Sequence, residues 1–191
     1  MQGEGVYMKD RRHLDFSNPY KSFPFIKKGF GKAFILPIND DYHDKLFPYS
    51  EVARNTREVE EVAAGNGMSK VFIGFPSGQL SYIEGKPILV YRIHTGDKQK
   101  TYASCITSFC TIQKVIWVTH DNIHKLVYEE FKSLVGNKAV FSDDEISLMY
   151  RKKRNMVVVE LVYNGFFGKG CNITHSWLKE NGIFNGYPYD I

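Results

Sequence analysis

Two apolar, strand-like runs, Pro87–Ile93 and Ala103–Val118, flank a polar connection, His94-Thr95-Gly96-Asp97-Lys98-Gln99-Lys100-Thr101-Tyr102. Runs of this kind separated by so short a polar segment pair as an antiparallel hairpin. The second run is long enough to bend or bulge in its middle. A hairpin of this sort belongs in a bent sheet or small barrel, and its mouth is where such a fold displays groups for recognition.

The rest of the chain supplies partners for that hairpin. Ala33-Phe-Ile-Leu-Pro-Ile38 and Lys70–Phe75 read as strands, the latter ended by the turn chemistry of Pro76-Ser77-Gly78. Met156–Tyr163 is a β-branched strand, with Asn164-Gly165 and Gly168-Lys169-Gly170 as turn signals after it. Asn39 is placed to cap a short helix holding Tyr42, His43, Leu46 and Phe47, which Pro48 ends. Val52–Ala64 is charged, with Val59, Val62 and Ala63 at helical spacing, and reads as a surface helix or a loop. Ile123, Leu126, Val127, Phe131, Leu134 and Val135 recur at helical spacing up to Gly136, with Asp121 placed as cap. Ser142-Asp143-Asp144-Glu145 has the form of a capping box before an apolar stripe of Ile146, Met149 and Tyr150. Thr174–Asn181 closes the series as a short helix ending at Gly182. Strands interleaved with short helices, without long βαβ alternation, predict an α+β domain around a bent, mostly antiparallel sheet or small barrel.

A length of 191 residues suits one domain. Residues 1–28 are irregular and read as a terminal segment or linker, leaving 29–191 as the domain. The formal charge is only +4, but the charges are grouped. Residues 1–35 carry seven Lys/Arg against three acids, and 39–66 carry three against seven. Residues 67–118 carry six against two, 119–150 three against six, and 151–191 six against three, led by Arg151-Lys152-Lys153-Arg154. If the fold gathers the basic segments on one face, that face neutralises several phosphates; a solvated mixed surface fits the same pattern. The odd set Cys105, Cys110 and Cys171 has no disulfide-rich spacing, and the polar start shows no secretory leader, so a reducing, cytoplasmic setting is expected. No apolar run approaches the roughly 20 residues needed to cross a bilayer, and no membrane partner is expected.

Candidate functional residues cluster on the hairpin. Arg92 alternates with Tyr91 and Ile93, so Arg92 and Tyr91 face opposite sides and only one of them lines a given face. His94, Lys98, Lys100 and Tyr102 combine positive charge with rings, the pairing by which single-stranded nucleic acid is held at its phosphates and bases. An ordinary solvated hairpin tip has the same composition. Ser104, Thr107 and Ser108 interrupt an apolar strand, so they either satisfy a bulge or face a pocket that needs hydrogen bonds. Tyr42 and His43 either stack on a base edge or pack at a helix start. Phe166, Phe167 and Trp177 read as core or as a ring cage, the glycines around the two phenylalanines permitting close approach of a ligand backbone.

Other chemistries fit less well. His120 and His124 are spaced to share a helical face, but zinc needs further ligands that Cys105 or Cys110 would have to bring from a strand. Cys110 has no local base or nucleophile turn. Gly29-Phe30-Gly31-Lys32 is a fragment of a phosphate loop without its spacing or its Ser/Thr, and reads as the entry to the first strand. No metal or cofactor is expected.

Phe34–Ile38 with Tyr42-His43 and Leu46-Phe47-Pro48, then Lys70–Ile73, Ile88–Ile93, Thr107–Cys110, Val157–Leu161 and Gly182-Ile183, resembles in order and content the PUA-like superfamily, which includes EVE and ASCH domains. The resemblance covers about residues 30–185; the Gly-x-Lys-x-x-Glu-x-Arg pattern of ASCH domains is not in the chain. It implies a PUA-like pseudo-barrel that binds RNA or DNA, in some branches by taking a modified base into a pocket beside the barrel. It also implies possible fusion to, or association with, an acetyltransferase-like or nuclease-like domain. The reader's interface would then be Tyr42, His43, Tyr91, Arg92, His94, Lys98, Lys100, Tyr102, Ser104, Thr107 and Ser108. The alternative is a small ASCH-like hydrolase or nuclease acting on nucleosides or RNA, with Lys100, Thr101, Tyr102 and a distant carboxylate such as Glu160 as machinery. A third reading is a protein-interaction module whose acidic segments meet a basic partner.

Overall fold

The computed structural model describes residues 12, 14–50, 63–168 and 170–184. Strands β1 (Phe34–Asn39), β2 (Ser69–Gly74), β3 (Pro87–Ile93), β4 (Cys105–His120) and β6 (Met156–Phe166) lie in the order β1-β3-β4-β6-β2. The two-residue strands β5 (Ile123–His124) and β7 (Ile173–Thr174) pair with the two ends of β4. β1 runs parallel to β3, and every other pairing is antiparallel. The hairpin expected from the sequence is therefore the β3–β4 pair, and β4 is the spine of the sheet.

The sheet curls because its longest strand is bulged. β4 shifts register against β6 at Phe109/Cys110, Ile112/Lys114 and Trp117/Thr119, and β3 shifts at Val90/Tyr91. Each such shift bends the strand and steepens the local twist. The result is an α+β half-barrel whose edges are β1 and β2. A connection after β2 reaches back across the opening, where the Tyr82 hydroxyl donates to the Ile35 carbonyl at 2.8 Å and its ring meets Phe34 edge-on.

Alternation along the strands sorts the core. Val157, Val159 and Leu161 point into the curl with Leu36, Ile88, Val90 and Ile112, and α2 (Asp40–Leu46) closes it with Leu46 and Phe47. Met156 and Val158, on the other face, lie under α5 (Tyr128–Val135) and α6 (Asp143–Arg151) through Phe131, Val135 and Ile146. Tyr91 and Ile106 form a third cluster with Leu178 of α7 (His175–Glu180) and Phe184. The remaining helical pieces are α1 (Pro19–Ser22), capped by Asn18 within the segment read as irregular, α3 (Ala63–Asn66), and α4 (Lys100–Ala103). Gly136–Lys138 is a turn of 3-10 helix.

Several boundaries differ from the sequence reading. Ile123 does not begin a helix: Asp121 and Asn122 have φ of 52° and 60°, the left-handed pair of a tight hairpin turn, and Ile123-His124 returns as β5. The helix starts at Tyr128, with Val127 at its N-cap. Ala103 belongs to the helical turn α4 rather than to β4. Asn164-Gly165 is not a turn; β6 runs through it to Phe166, and the chain reverses at Gly168 and Gly170. Most of Val52–Ala64 lies outside the described residues. Among the described residues, no helix is long and apolar enough to cross a membrane.

The capping box at Ser142 forms as read. Ser142 Oγ accepts the Glu145 N–H at 3.3 Å while the Glu145 carboxylate accepts the Ser142 N–H at 2.8 Å. Ser142→Ala is expected to lower stability by about 1 kcal/mol in urea titration, with the slope unchanged.

Candidate nucleic-acid interface

The mouth of the β3–β4 hairpin is a cleft of about 770 Å³. Its floor follows from strand register. Arg92 of β3 is the cross-strand partner of Cys105 on β4, and Cys105 is the partner of Thr174 on β7, so the three lie side by side. One wall is the connection carrying His94, Lys98 and Gln99, continued by Tyr102 and Ala103 of α4; Asn172 faces it from before β7.

The floor is held by a charged network that the sequence reading did not contain. Arg92 makes a two-pronged contact with Asp44 of α2, Nε to Oδ1 and one terminal nitrogen to Oδ2, both at 2.8 Å, and lies 3.6 Å from Asp40. Burial opposes ionisation of Asp44, but the hydrogen bonds from Arg92 and His43 outweigh it and hold the carboxyl at about 2. Burial likewise opposes ionisation of Asp40, and there the Thr95 hydroxyl and N–H with the nearby Arg92 win, leaving its pKa below the usual range. His43 is fully buried, and burial pulls its pKa down. The neutral ring donates from Nδ1 to Asp44 at 2.8 Å and accepts the Thr107 hydroxyl at Nε2, also at 2.8 Å.

The same network shapes the mouth. His94 donates from Nδ1 to Asp40 at 2.9 Å, and its backbone N–H donates to Ser104 Oγ at 2.9 Å. His94 Nε2 and Asn172 Oδ1 are buried atoms with no hydrogen-bond partner among the described residues. Nε2 lies under Gly96, where an added Cβ would come within 3.0 Å of it. Cys105 is no nucleophile, because burial pushes its thiol up to about 11.

Of the residues singled out from sequence, Arg92, His94, Lys98 and Tyr102 line the cleft. Lys100 stands exposed on the same helical turn as Tyr102 without lining the cleft. Tyr91 faces the other way, fully buried, with its hydroxyl 2.8 Å from His175 Nδ1. Ser104, Thr107 and Ser108 are buried; Ser104 and Thr107 hold His94 and His43 in place and offer nothing to a ligand. His43 is internal for the same reason, and Tyr42 packs on Phe141, away from the cleft. Glu160 is bound to Lys138 at 3.0 Å and pairs with Lys114 in mid-sheet, so Lys100, Thr101, Tyr102 and Glu160 do not form one site. His120 and His124 sit on different strands, and no group of three metal-ligating side chains occurs among the described residues. Trp177, read as core, is 47% exposed on α7, which contacts α4 with its Tyr102, 70% exposed. Asn172, Thr174, Asp40 and Asp44 join the site only through strand and helix packing.

No family model matches the chain, and no curated protein matches it in sequence. Among solved structures, the chain is similar to the crystal structure of ASCH from Zymomonas mobilis, with a TM-score of 0.45, 13% identity and coverage of 82% of each chain. A tyrosine-to-phenylalanine variant of that protein gives a TM-score of 0.45 at 12% identity, covering 82% of this chain and 85% of that one. A serine-to-alanine variant gives 0.44 at 11%, covering 82% and 83%. All three are structures of one protein.

Proposed function

We propose that this chain is a nucleic-acid-binding module whose interface is the cleft at the β3–β4 mouth, taking one unstacked nucleotide. The observation that carries this is the pairing, in the cleft lining, of Lys98 with the 70% exposed ring of Tyr102, with Lys100 exposed outside the lining on the helical turn of Tyr102; neither lysine is ion-paired with an acid among the described residues. Lysines supply phosphate attraction and the ring a stacking surface, which together suffice for single-stranded binding. The volume of about 770 Å³ accommodates a nucleotide, and pockets of about 300–1,000 Å³ are usual for small ligands.

A small enzyme is the weaker reading. The pair His94–Asp40 has the form of a general base, but its Nε2 is covered by Gly96.

Fluorescence anisotropy with short single-stranded RNA and DNA, plain and base-modified, at two salt concentrations tests the proposal. Lys98→Glu/Lys100→Glu is expected to weaken binding more than tenfold, and neutralising the pair lowers the salt slope by about 1.4 on the single-strand scale. Tyr102→Ala is expected to cost about 1–3 kcal/mol of binding, with little change in that slope. Full binding by the double charge variant would overturn the proposal.

A further inference from the structure

The run Arg151-Lys152-Lys153-Arg154 joins α6 to β6 at the end of the sheet opposite the cleft, since Met156 pairs with Thr119 at the far end of β4. All four side chains are exposed, and no acid pairs with any of them among the described residues. The run caps the C-terminal end of α6, where the helix dipole favours cations, and Lys153 turns the chain with a φ of 47°. The acids of the same helix, Asp143, Asp144 and Glu145, stand at its opposite end.

Arg154 is not a loose cation. Its guanidinium lies 4.4 Å over the ring of Phe75, and both side chains line a hollow of about 350 Å³. That hollow also offers Ser77, Asn122 and Asn155. Asn155 Oδ1 is already used by the Asp121 N–H, and the Asp121 carboxylate, which also lines the hollow, lies 3.2 Å from His120 Nδ1. Beside that one carboxylate stand a planar arginine and hydroxyl and amide donors, groups that receive phosphate oxygens.

We infer that this loop is a second phosphate-contacting surface, gripping the backbone of a nucleic acid long enough to reach beyond the cleft. The inference rests on the cleft being a nucleic-acid interface. β4 connects the two places, and its sixteen residues span at most roughly 50 Å. Its register shifts shorten that reach, so roughly 15 nucleotides, at about 3.4 Å each along one strand, suffice to touch both.

The test compares six-nucleotide and twenty-nucleotide single strands on wild type and on Arg151→Gln/Lys152→Gln/Lys153→Gln/Arg154→Gln, with thermal unfolding as a check on folding. For the longer strand the variant is expected to bind at least tenfold more weakly, with a salt slope lower by about 3. Its binding of the six-nucleotide strand is expected to match wild type. Unchanged binding of the longer strand, or equal losses for both lengths, overturns the second surface. Wild type that binds neither length defeats both this inference and the cleft. Wild type that binds only the longer strand, with the variant losing it, defeats the cleft and leaves the loop standing. Because Leu148 is exposed one turn before Arg151, phosphatidylserine vesicles form a further arm. Vesicle binding lost in the variant while RNA and DNA binding is kept makes the loop a lipid-facing surface and overturns the inference.

Discussion

Asp44→Ala is expected to lower the stability of this protein by roughly 2–3 kcal/mol, less than the ~3–5 kcal/mol of a fully buried ion pair because the Asp44 side chain is 26% exposed and Arg92 keeps Asp40 nearby. Arg92 is only 11% exposed in its side chain, and Asp44 supplies both prongs of its contact, leaving Asp40 at 3.6 Å as its remaining acid. The same substitution removes the acceptor of the buried His43 Nδ1–H. Asp44→Asn keeps the volume and loses the charge, so it separates electrostatics from packing; urea titration of both variants is the measurement. The pair also sets an acid limit. An unfolded aspartate titrates near 3.9, whereas the folded Asp44 titrates at about 2. Its contribution is fully present above about pH 4 and is lost as pH falls toward 2, on the order of 2 kcal/mol in all. A wild-type protein whose stability advantage over Asp44→Asn stays constant from pH 5 to 2 would show that the carboxylate carries none of this.

How much of this was legible in the chain depends on how local each signal was. The β3–β4 hairpin could be read because alternation and a polar tip are encoded within about thirty residues. Arg92 and Tyr91 could be assigned to opposite faces by parity, but which face holds the cleft is set by α7 and by a bulge at Val90/Tyr91, neither visible in β3 itself. His43 was read as a candidate contact because its neighbour Thr107 is 64 residues away and only folding brings them together. Ile123 misled because an apolar residue four before Val127 satisfies helical spacing. The Asp121-Asn122 turn, permitted by the tolerance of Asp and Asn for positive φ, is the stronger local constraint. α4 is a single turn, too short for any periodicity to announce it. Asn172 and Thr174 reach the cleft through a two-residue strand, which carries no pattern at all.

Lys70→Ala is the other substitution expected to act strongly, at about 3–4 kcal/mol from a cavity and two orphaned carbonyls together. Lys70 is 1% exposed, pointing from β2 into the core, where its Nζ donates to the Ala64 and Gly65 carbonyls at 2.6 and 2.7 Å. Those carbonyls belong to the short helix α3, whose carbonyls have no partner within so brief a helix, so the lysine ties that turn to the sheet. Its ammonium also stands over the rings of Phe47 and Tyr163, at 5.8 and 5.6 Å. Burial nevertheless pulls its pKa down to about 8. An unfolded lysine titrates near 10.4, so between about pH 8 and 10 Lys70 binds more protons in the unfolded chain than in the folded one, and its own contribution to stability rises with pH. The thiols of Cys105 and Cys110, pushed up by burial, act the opposite way from about pH 8.5, and Tyr82, pushed up to about 12, joins them above about pH 10, because there the folded chain keeps protons that the unfolded one gives up. Lys70→Met, which fills the same space without a charge, removes the first effect and keeps the second. The stability difference between wild type and Lys70→Met, followed by urea titration, is therefore expected to shift toward wild type by on the order of 2 kcal/mol from pH 8 to 10. A difference that stays flat across that interval would mean the two carbonyls hold the ammonium charged throughout, and that its hydrogen bonds outweigh its burial.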